Sequence, residues 1–145
     1  LNTETAGRLL KAKKFIGKNH FFLTYGDSIT DFDPLRAYKK FIKSKNKFLI
    51  SIYKYISPYG VIEHKKNNLT SYSEKKFKFY INAGFYIFDK DIFKFINSNK
   101  NSLEKNTIPS ILKKNRYKFT TYKCKFWHPM DNHSDRQKLS KILKK

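Results

Sequence analysis

The sequence is poor in acidic residues and cysteine, and it has no long apolar run. Its 145 residues include only 11 Asp and Glu against 32 Lys and Arg, and one cysteine, Cys124. A single cysteine excludes an internal disulfide, and the lack of paired cysteines argues against zinc. No apolar run reaches the roughly 18 residues of a membrane-spanning helix, and the first residues lack a signal-peptide pattern. We therefore expect a soluble, cytoplasmic protein.

The excess of basic residues gives a net charge of +21. Clustered Lys and Arg neutralise phosphates, so a nucleic-acid-binding surface is one interpretation. However, nearly all of these residues are lysine, whereas readout of bases and phosphates favours the arginine fork. The chain is also rich in Phe, Tyr, Ile and Asn, whose codons, like those of lysine, are AT-rich. We expect no specific nucleic-acid binding, and a basic anion-binding domain remains an alternative.

Helical and strand patterns alternate along the chain. The first helix is expected over residues 5–16, and the apolar run at 21–25 is expected to be a strand buried on both faces. Asp33 followed by Pro34 predicts the start of a second helix. Further strands are predicted at 47–56, in a hairpin over 61–75, at 79–89 and at 117–127, with helices starting at Asp89, Ser102 and Ser134. This alternation predicts an α/β sandwich.

Four aspartates deserve separate interpretations. Asp33 belongs to the helix start, and Asp31 is expected to be a solvated loop carboxylate. Asp27 directly follows a buried strand, where a turn residue and a ligand are equally good interpretations. Asp131 follows an aromatic strand end in the same way. Two carboxylates at strand ends over one crevice can hold Mg²⁺, which takes few protein ligands and completes its shell with phosphate oxygens and water.

A further group of candidate site residues lies in and just before the strand predicted at 79–89. Glu74 and Lys75 precede it, and Asn82, Ala83 and Gly84 lie within it. Together they offer a carboxylate that accepts hydrogen bonds from hydroxyl groups, a lysine charge that binds phosphate, and a side-chain amide. The alternative is an ordinary charged hairpin edge.

Five segments, in order, resemble motifs of the sugar-1-phosphate nucleotidyltransferases, most closely the glucose-1-phosphate cytidylyltransferases. The segments are LNTETAGRL, LTYGDSITDFD, SEKK, INAGF and FWHPMDNHSDRQKL. The resemblance implies a Rossmann-like (GT-A-like) α/β sandwich with a mixed sheet. It also implies transfer of a nucleotidyl group, from CTP by the closest resemblance, to a sugar 1-phosphate, with release of pyrophosphate.

The resemblance also implies roles for individual residues. Asp27 and Asp131 would hold the Mg²⁺ cofactor, and Lys75 would serve catalysis by binding the phosphate of the sugar 1-phosphate. Asp135 resembles the second aspartate of the family. The substrate-binding residues would be Thr5, Ala6, Gly7 and Arg8 against the base and ribose, Glu74 and Asn82 against the sugar, and Gly26, Lys75 and Gly84.

The sequence departs from the family pattern in several places. The substituted positions are Ala6, Ser28, Lys76, Ala83 and Asn132. The glycine-rich G-x-G-x-R loop that cradles the triphosphate in the family is absent. We therefore expect residues 1–145 to be the C-terminal part of a single nucleotidyltransferase domain without its N-terminal triphosphate-binding part. A non-catalytic remnant is the alternative, and a homo-oligomer remains open.

Overall fold

The computed structural model describes residues 3–17, 19–74, 78–115 and 117–143. Within these ranges no helix is both long and apolar enough to cross a membrane. The α-helices are α1 (Thr5–Ala12), α2 (Pro34–Ser44), α3 (Ile108–Lys113) and α4 (His133–Leu143), with 3-10 turns at Lys13–Phe15 and Lys90–Phe95 and a π-helical turn at Leu103–Thr107. The strands are β1 (Phe21–Thr24), β2 (Ser28–Thr30), β3 (Phe48–Ile56), β4 (Val61–Lys65), β5 (Asn68–Ser73), β6 (Lys78–Phe88), β7 (Phe119–Cys124) and β8 (Trp127–Pro129).

The main sheet has four strands in the order β1, β6, β3, β7. Strand β6 runs antiparallel to both β1 and β3, whereas β3 and β7 are parallel. The predicted α/β fold with a mixed sheet is therefore confirmed. The expectation that β1 is buried on both faces is wrong, because its side chains alternate between partly buried and exposed, and Phe22 is 51% exposed.

The core lies on both faces of this sheet. The paired residues Phe48 and Phe88 pack on the face covered by α1, α3 and the 3-10 turn at Lys90–Phe95. The next pair, Leu49 and Ile87, points to the opposite face and packs on α2, because side chains alternate along a strand. Full burial of such a side chain contributes about 1.5 to 3 kcal/mol.

Three of the predicted helix starts are confirmed at their caps. The Asp33 carboxylate accepts a hydrogen bond from the Arg36 N–H at 2.9 Å, with Pro34 at the first helical position. Asp89 and Ser102 likewise accept bonds from backbone N–H groups in the turns that follow them. Each cap satisfies a donor that would otherwise have no partner in the first turn.

The C-terminal elements differ from the prediction. The strand expected at 117–127 is two strands, because the chain leaves the main sheet after Cys124. The cap of α4 is Asn132, whose Oδ1 accepts from the Asp135 N–H at 2.9 Å, and not Ser134. Among the apolar residues of α4, Leu139 is buried, whereas Ile142 and Leu143 are 46% and 64% exposed.

Candidate functional site

A small two-stranded sheet brings the two candidate metal ligands together. Strand β2 begins directly after Asp27, β8 ends just before Met130 and Asp131, and the two strands pair antiparallel. The Met130 N–H donates to the Asp27 carbonyl at 2.7 Å, which continues the pairing to the end where both aspartates lie. Both line a cavity of about 180 Å³ together with Asn82 and Gly84. Four residues predicted from three separate motifs therefore share one cavity.

The donors of this cavity suit Mg²⁺. Asp27 and Asp131 are both exposed and offer hard carboxylate oxygens. Within the described ranges, no group of three or more His, Cys, Asp or Glu residues could hold a metal ion. Mg²⁺ commonly takes one or two protein carboxylates and fills its remaining positions with water and substrate phosphates, whereas Ca²⁺ requires six to eight oxygens. A pair of aspartates therefore fits a magnesium site.

A bulge in β6 shapes the other wall of the cavity. Residues 83–85 lie opposite the single residue Ser51, whose Oγ accepts from the Phe85 N–H at 2.9 Å. Asn82 Oδ1 accepts from the Gly84 N–H at 3.0 Å, and Gly84 has a φ of 82°, which favours glycine. The Asn82 amide also donates to the Tyr86 hydroxyl. Among the described residues, the second Nδ2 hydrogen of Asn82 has no acceptor, which leaves it for a ligand.

A larger cavity of about 720 Å³ adjoins the first, because Tyr25 and Asp27 line both. The predicted substrate-binding residues Thr5, Arg8 and Gly26 line this larger cavity. It therefore extends the candidate site from Asp27 towards α1.

Two predicted substrate-binding residues lie away from these cavities. Ala6 and Gly7 are buried, and their N–H groups donate to the carbonyl of Asn101 at 3.1 and 3.2 Å. A Cβ on Gly7 would lie 1.9 Å from the carbonyl oxygen of Asn99. In this structure Gly7 allows two backbone segments to approach closely, and it does not line either cavity.

The predicted sugar and phosphate residues near the hairpin are placed only in part. Glu74 follows β5 and accepts a hydrogen bond from the Tyr72 hydroxyl. A Cβ on Gly60 would lie 2.9 Å from Glu74 Oε2, so the absence of a side chain at Gly60 leaves room for this carboxylate. Glu74 lines neither cavity of Asp27. Lys75 lies outside the described residues, and its role stays a prediction.

Asp31 has a structural role that the sequence interpretation missed. Its carboxylate accepts hydrogen bonds from the backbone N–H groups of Lys125 at 3.0 Å and Phe126 at 3.1 Å. Asp31 is exposed and lies in a loop, as expected, and it also binds these two backbone groups. Asp31 holds the connection between β7 and β8 against the end of β2, opposite to the end that carries Asp27 and Asp131.

We expect Asp31→Ala to loosen β8 and lower the free energy of unfolding by about 1 to 2 kcal/mol, because two backbone donors lose a charged acceptor. Asp31→Asn, which keeps one acceptor oxygen, should lose less. Urea denaturation measures the difference, and hydrogen exchange at Lys125 and Phe126 locates it. Unchanged exchange at these two amides in Asp31→Ala would exclude the role.

Comparisons with known proteins agree with this geometry. The family model described as Nucleotidyl transferase matches residues 1–135. Mannose-1-phosphate guanyltransferase of Hypocrea jecorina is 32% identical in an alignment of 124 residues that covers 78% of this chain and 34% of that protein. The Bacillus subtilis (strain 168) protein named "Probable glucose-1-phosphate cytidylyltransferase" is 26% identical, over 98% of this chain and 56% of its own length.

A solved structure shares the fold. HddC from Yersinia pseudotuberculosis, crystallised in complex with GMP-PN, superposes with a TM-score of 0.66 at 24% identity, over 99% of this chain and 64% of that one. The chain thus spans between about a third and just over half of the two curated relatives. The resemblance carried by the five segments is confirmed at the level of the family, and the chain belongs to the nucleotidyl transferase family.

Proposed function

We propose that this chain carries the metal-binding and sugar-1-phosphate-binding part of a nucleotidyltransferase. The reaction would transfer a nucleotidyl group, from CTP, to a sugar 1-phosphate. The observation that carries the proposal is the shared cavity of Asp27, Asp131, Asn82 and Gly84. The printed names of the two curated relatives, which both refer to sugar 1-phosphates, support the substrate class.

The proposed reaction is an in-line displacement at phosphorus. A phosphate oxygen of the sugar 1-phosphate forms a bond to the α-phosphorus of the nucleotide, and the bond to the departing pyrophosphate breaks. Asp27 and Asp131 supply two carboxylates for Mg²⁺, which when bound neutralises phosphate charge. The remaining Asn82 N–H donates to the sugar, and Arg8 in the larger cavity lies against the base and ribose. Lys75 binds the phosphate of the sugar 1-phosphate.

The choice of CTP rests on the FWHPMD segment and on the name of the Bacillus subtilis relative. The Hypocrea jecorina relative favours a second candidate, GTP with mannose 1-phosphate. Calorimetry with glucose 1-phosphate and with mannose 1-phosphate, each in the presence of Mg²⁺, tests the substrate class. We expect saturable binding of at least one of them and much weaker binding of glucose 6-phosphate. Equal, weak responses to all three would reject the proposal.

We also propose that the triphosphate-binding part of the site is not supplied by these 145 residues, since the sequence has no G-x-G-x-R loop. The chain alone should then release no pyrophosphate from CTP, UTP, GTP or dTTP with any sugar 1-phosphate and Mg²⁺. A coupled pyrophosphate assay measures this, with inorganic pyrophosphate added as the positive control. Measurable turnover would show that the chain supplies its own triphosphate site.

A further inference from the structure

The carboxylate of Glu104 accepts hydrogen bonds from hydroxyl groups in three separate segments. Glu104 lies in the π-helical turn at Leu103–Thr107 and lines the larger cavity. It accepts hydrogen bonds from Thr5 Oγ1 of α1 at 3.1 Å and from Ser102 Oγ at 3.0 Å. Its other oxygen accepts from the hydroxyl of Tyr25, which follows β1. One side chain therefore joins α1, β1 and the π-helical turn.

The charge of Glu104 strengthens these hydrogen bonds. Desolvation acts against ionisation of Glu104, but the bonds from Tyr25, Ser102 and Thr5 prevail and lower the pKa of its carboxyl. At neutral pH Glu104 therefore accepts these hydrogen bonds as a charged carboxylate, and such bonds are stronger than those between neutral groups.

The contacts continue from Tyr25 to the smaller cavity. The Tyr25 ring packs edge-on against Tyr86 with centroids 5.7 Å apart, and the Tyr86 hydroxyl accepts from the Asn82 amide. The Tyr25 N–H donates to the Gly84 carbonyl at 3.2 Å. Tyr25 directly precedes Gly26, lies two residues before Asp27, and lines both cavities.

We propose that Glu104 is a positioning residue of the ligand site. By fixing the Tyr25 side chain it fixes the wall between the two cavities, and through Tyr86 it orients the amide of Asn82. This inference rests on the proposed function insofar as it concerns a sugar 1-phosphate. The orientation of Tyr25 and Asn82 in the ligand-free chain does not depend on that function.

The test compares Glu104→Gln with Glu63→Gln, an identical change at an exposed glutamate of β4. The glutamine cannot supply a charged acceptor for three hydroxyl groups. In the ligand-free chain we expect Glu104→Gln, but not Glu63→Gln, to shift the ring resonances of Tyr25 and the side-chain amide resonances of Asn82. With Mg²⁺ present, Glu104→Gln should weaken glucose 1-phosphate binding about tenfold.

Tyr25→Phe removes only the hydroxyl and provides a second route to the same result. It should also weaken binding, and the double variant should lose no more than Glu104→Gln alone, because that substitution already removes the contact with the Tyr25 hydroxyl. Additive losses, or unmoved Tyr25 and Asn82 resonances in Glu104→Gln, would overturn the inference. If the unaltered chain binds no sugar 1-phosphate, the proposed function fails, while the resonances still decide the role of Glu104.

Discussion

Asp131→Asn is expected to reduce the affinity of the chain for Mn²⁺, used in place of Mg²⁺, by on the order of a hundredfold. The site has two carboxylates, Asp27 and Asp131, so the substitution removes half of its negative charge and leaves a weaker, neutral oxygen ligand. Electron paramagnetic resonance measures this affinity directly, because it counts free Mn²⁺ in the presence of the protein. Asp27→Asn should have an effect of similar size.

Asp33→Asn is the matched control for this experiment. It makes the same chemical change in the same short segment as Asp27, and asparagine caps a helix about as well as aspartate. Its Mn²⁺ affinity should equal that of the unaltered chain. If Asp131→Asn and Asp33→Asn bind Mn²⁺ equally well, Asp131 is not a ligand.

Gly7→Ala is expected to lower the free energy of unfolding by about 3 kcal/mol, at the high end for overpacking. The new Cβ would meet three backbone atoms of Asn99, the nearest at 1.9 Å. These atoms cannot rotate away as a flexible side chain would. The loop that contains Asn99 and Asn101 is held in place by two hydrogen bonds. The Glu4 N–H donates to the Asn99 carbonyl, and the Ala6 N–H donates to the Asn101 carbonyl. Relief of the clash would therefore disrupt these hydrogen bonds.

Gly17→Ala provides the comparison in the same N-terminal region. A Cβ at Gly17 would meet no atom within 4 Å, and its φ lies outside the left-handed region. We expect a change within about 0.5 kcal/mol, since alanine mainly restricts the unfolded chain there. Urea denaturation of the two variants measures both values. Equal midpoints would show that the contact between Gly7 and Asn99 does not constrain the fold.

Local features of the fold could be predicted from the sequence because their causes lie within a few residues. The caps at Asp33, Asp89 and Ser102 bond N–H groups two or three residues ahead. The mixed α/β architecture followed from alternating patterns and from the family resemblance. The helix start misplaced at Ser134 shows the limit of this reasoning, because Asn132 is an equally suitable cap two residues earlier.

Contacts distant in sequence explain what could not be predicted. Asp31 bonds an N–H group 94 residues away, and Glu104 meets a hydroxyl 79 residues away. No local pattern in the sequence indicates such contacts. The family resemblance predicts a ligand contact for Gly7, whereas in the structure a Cβ on this residue would meet the backbone of Asn99. The sequence alone does not identify such partners.

The position of Asp27 beside Asp131 could be predicted from the sequence only in part. The strand-end positions and the family resemblance both predict that the two residues form a pair, but the physical link is the short β2–β8 sheet, in which each strand has only three residues. Three residues are too few for a recognisable strand period. The structure therefore supplies the reason for the pairing, and this pairing is the basis of the proposed function.

The relaxation rate of the phosphorus nucleus of glucose 1-phosphate, measured with the chain and Mn²⁺, tests the shared metal and sugar-phosphate site most directly. Because the unpaired electrons of Mn²⁺ relax only nearby nuclei, the chain should enhance the rate well beyond that of Mn²⁺ with glucose 1-phosphate alone. Asp131→Asn should remove the enhancement, and Asp33→Asn should keep it. A rate that the chain does not change, or that Asp131→Asn leaves as high as in the unaltered chain, would contradict the proposed site.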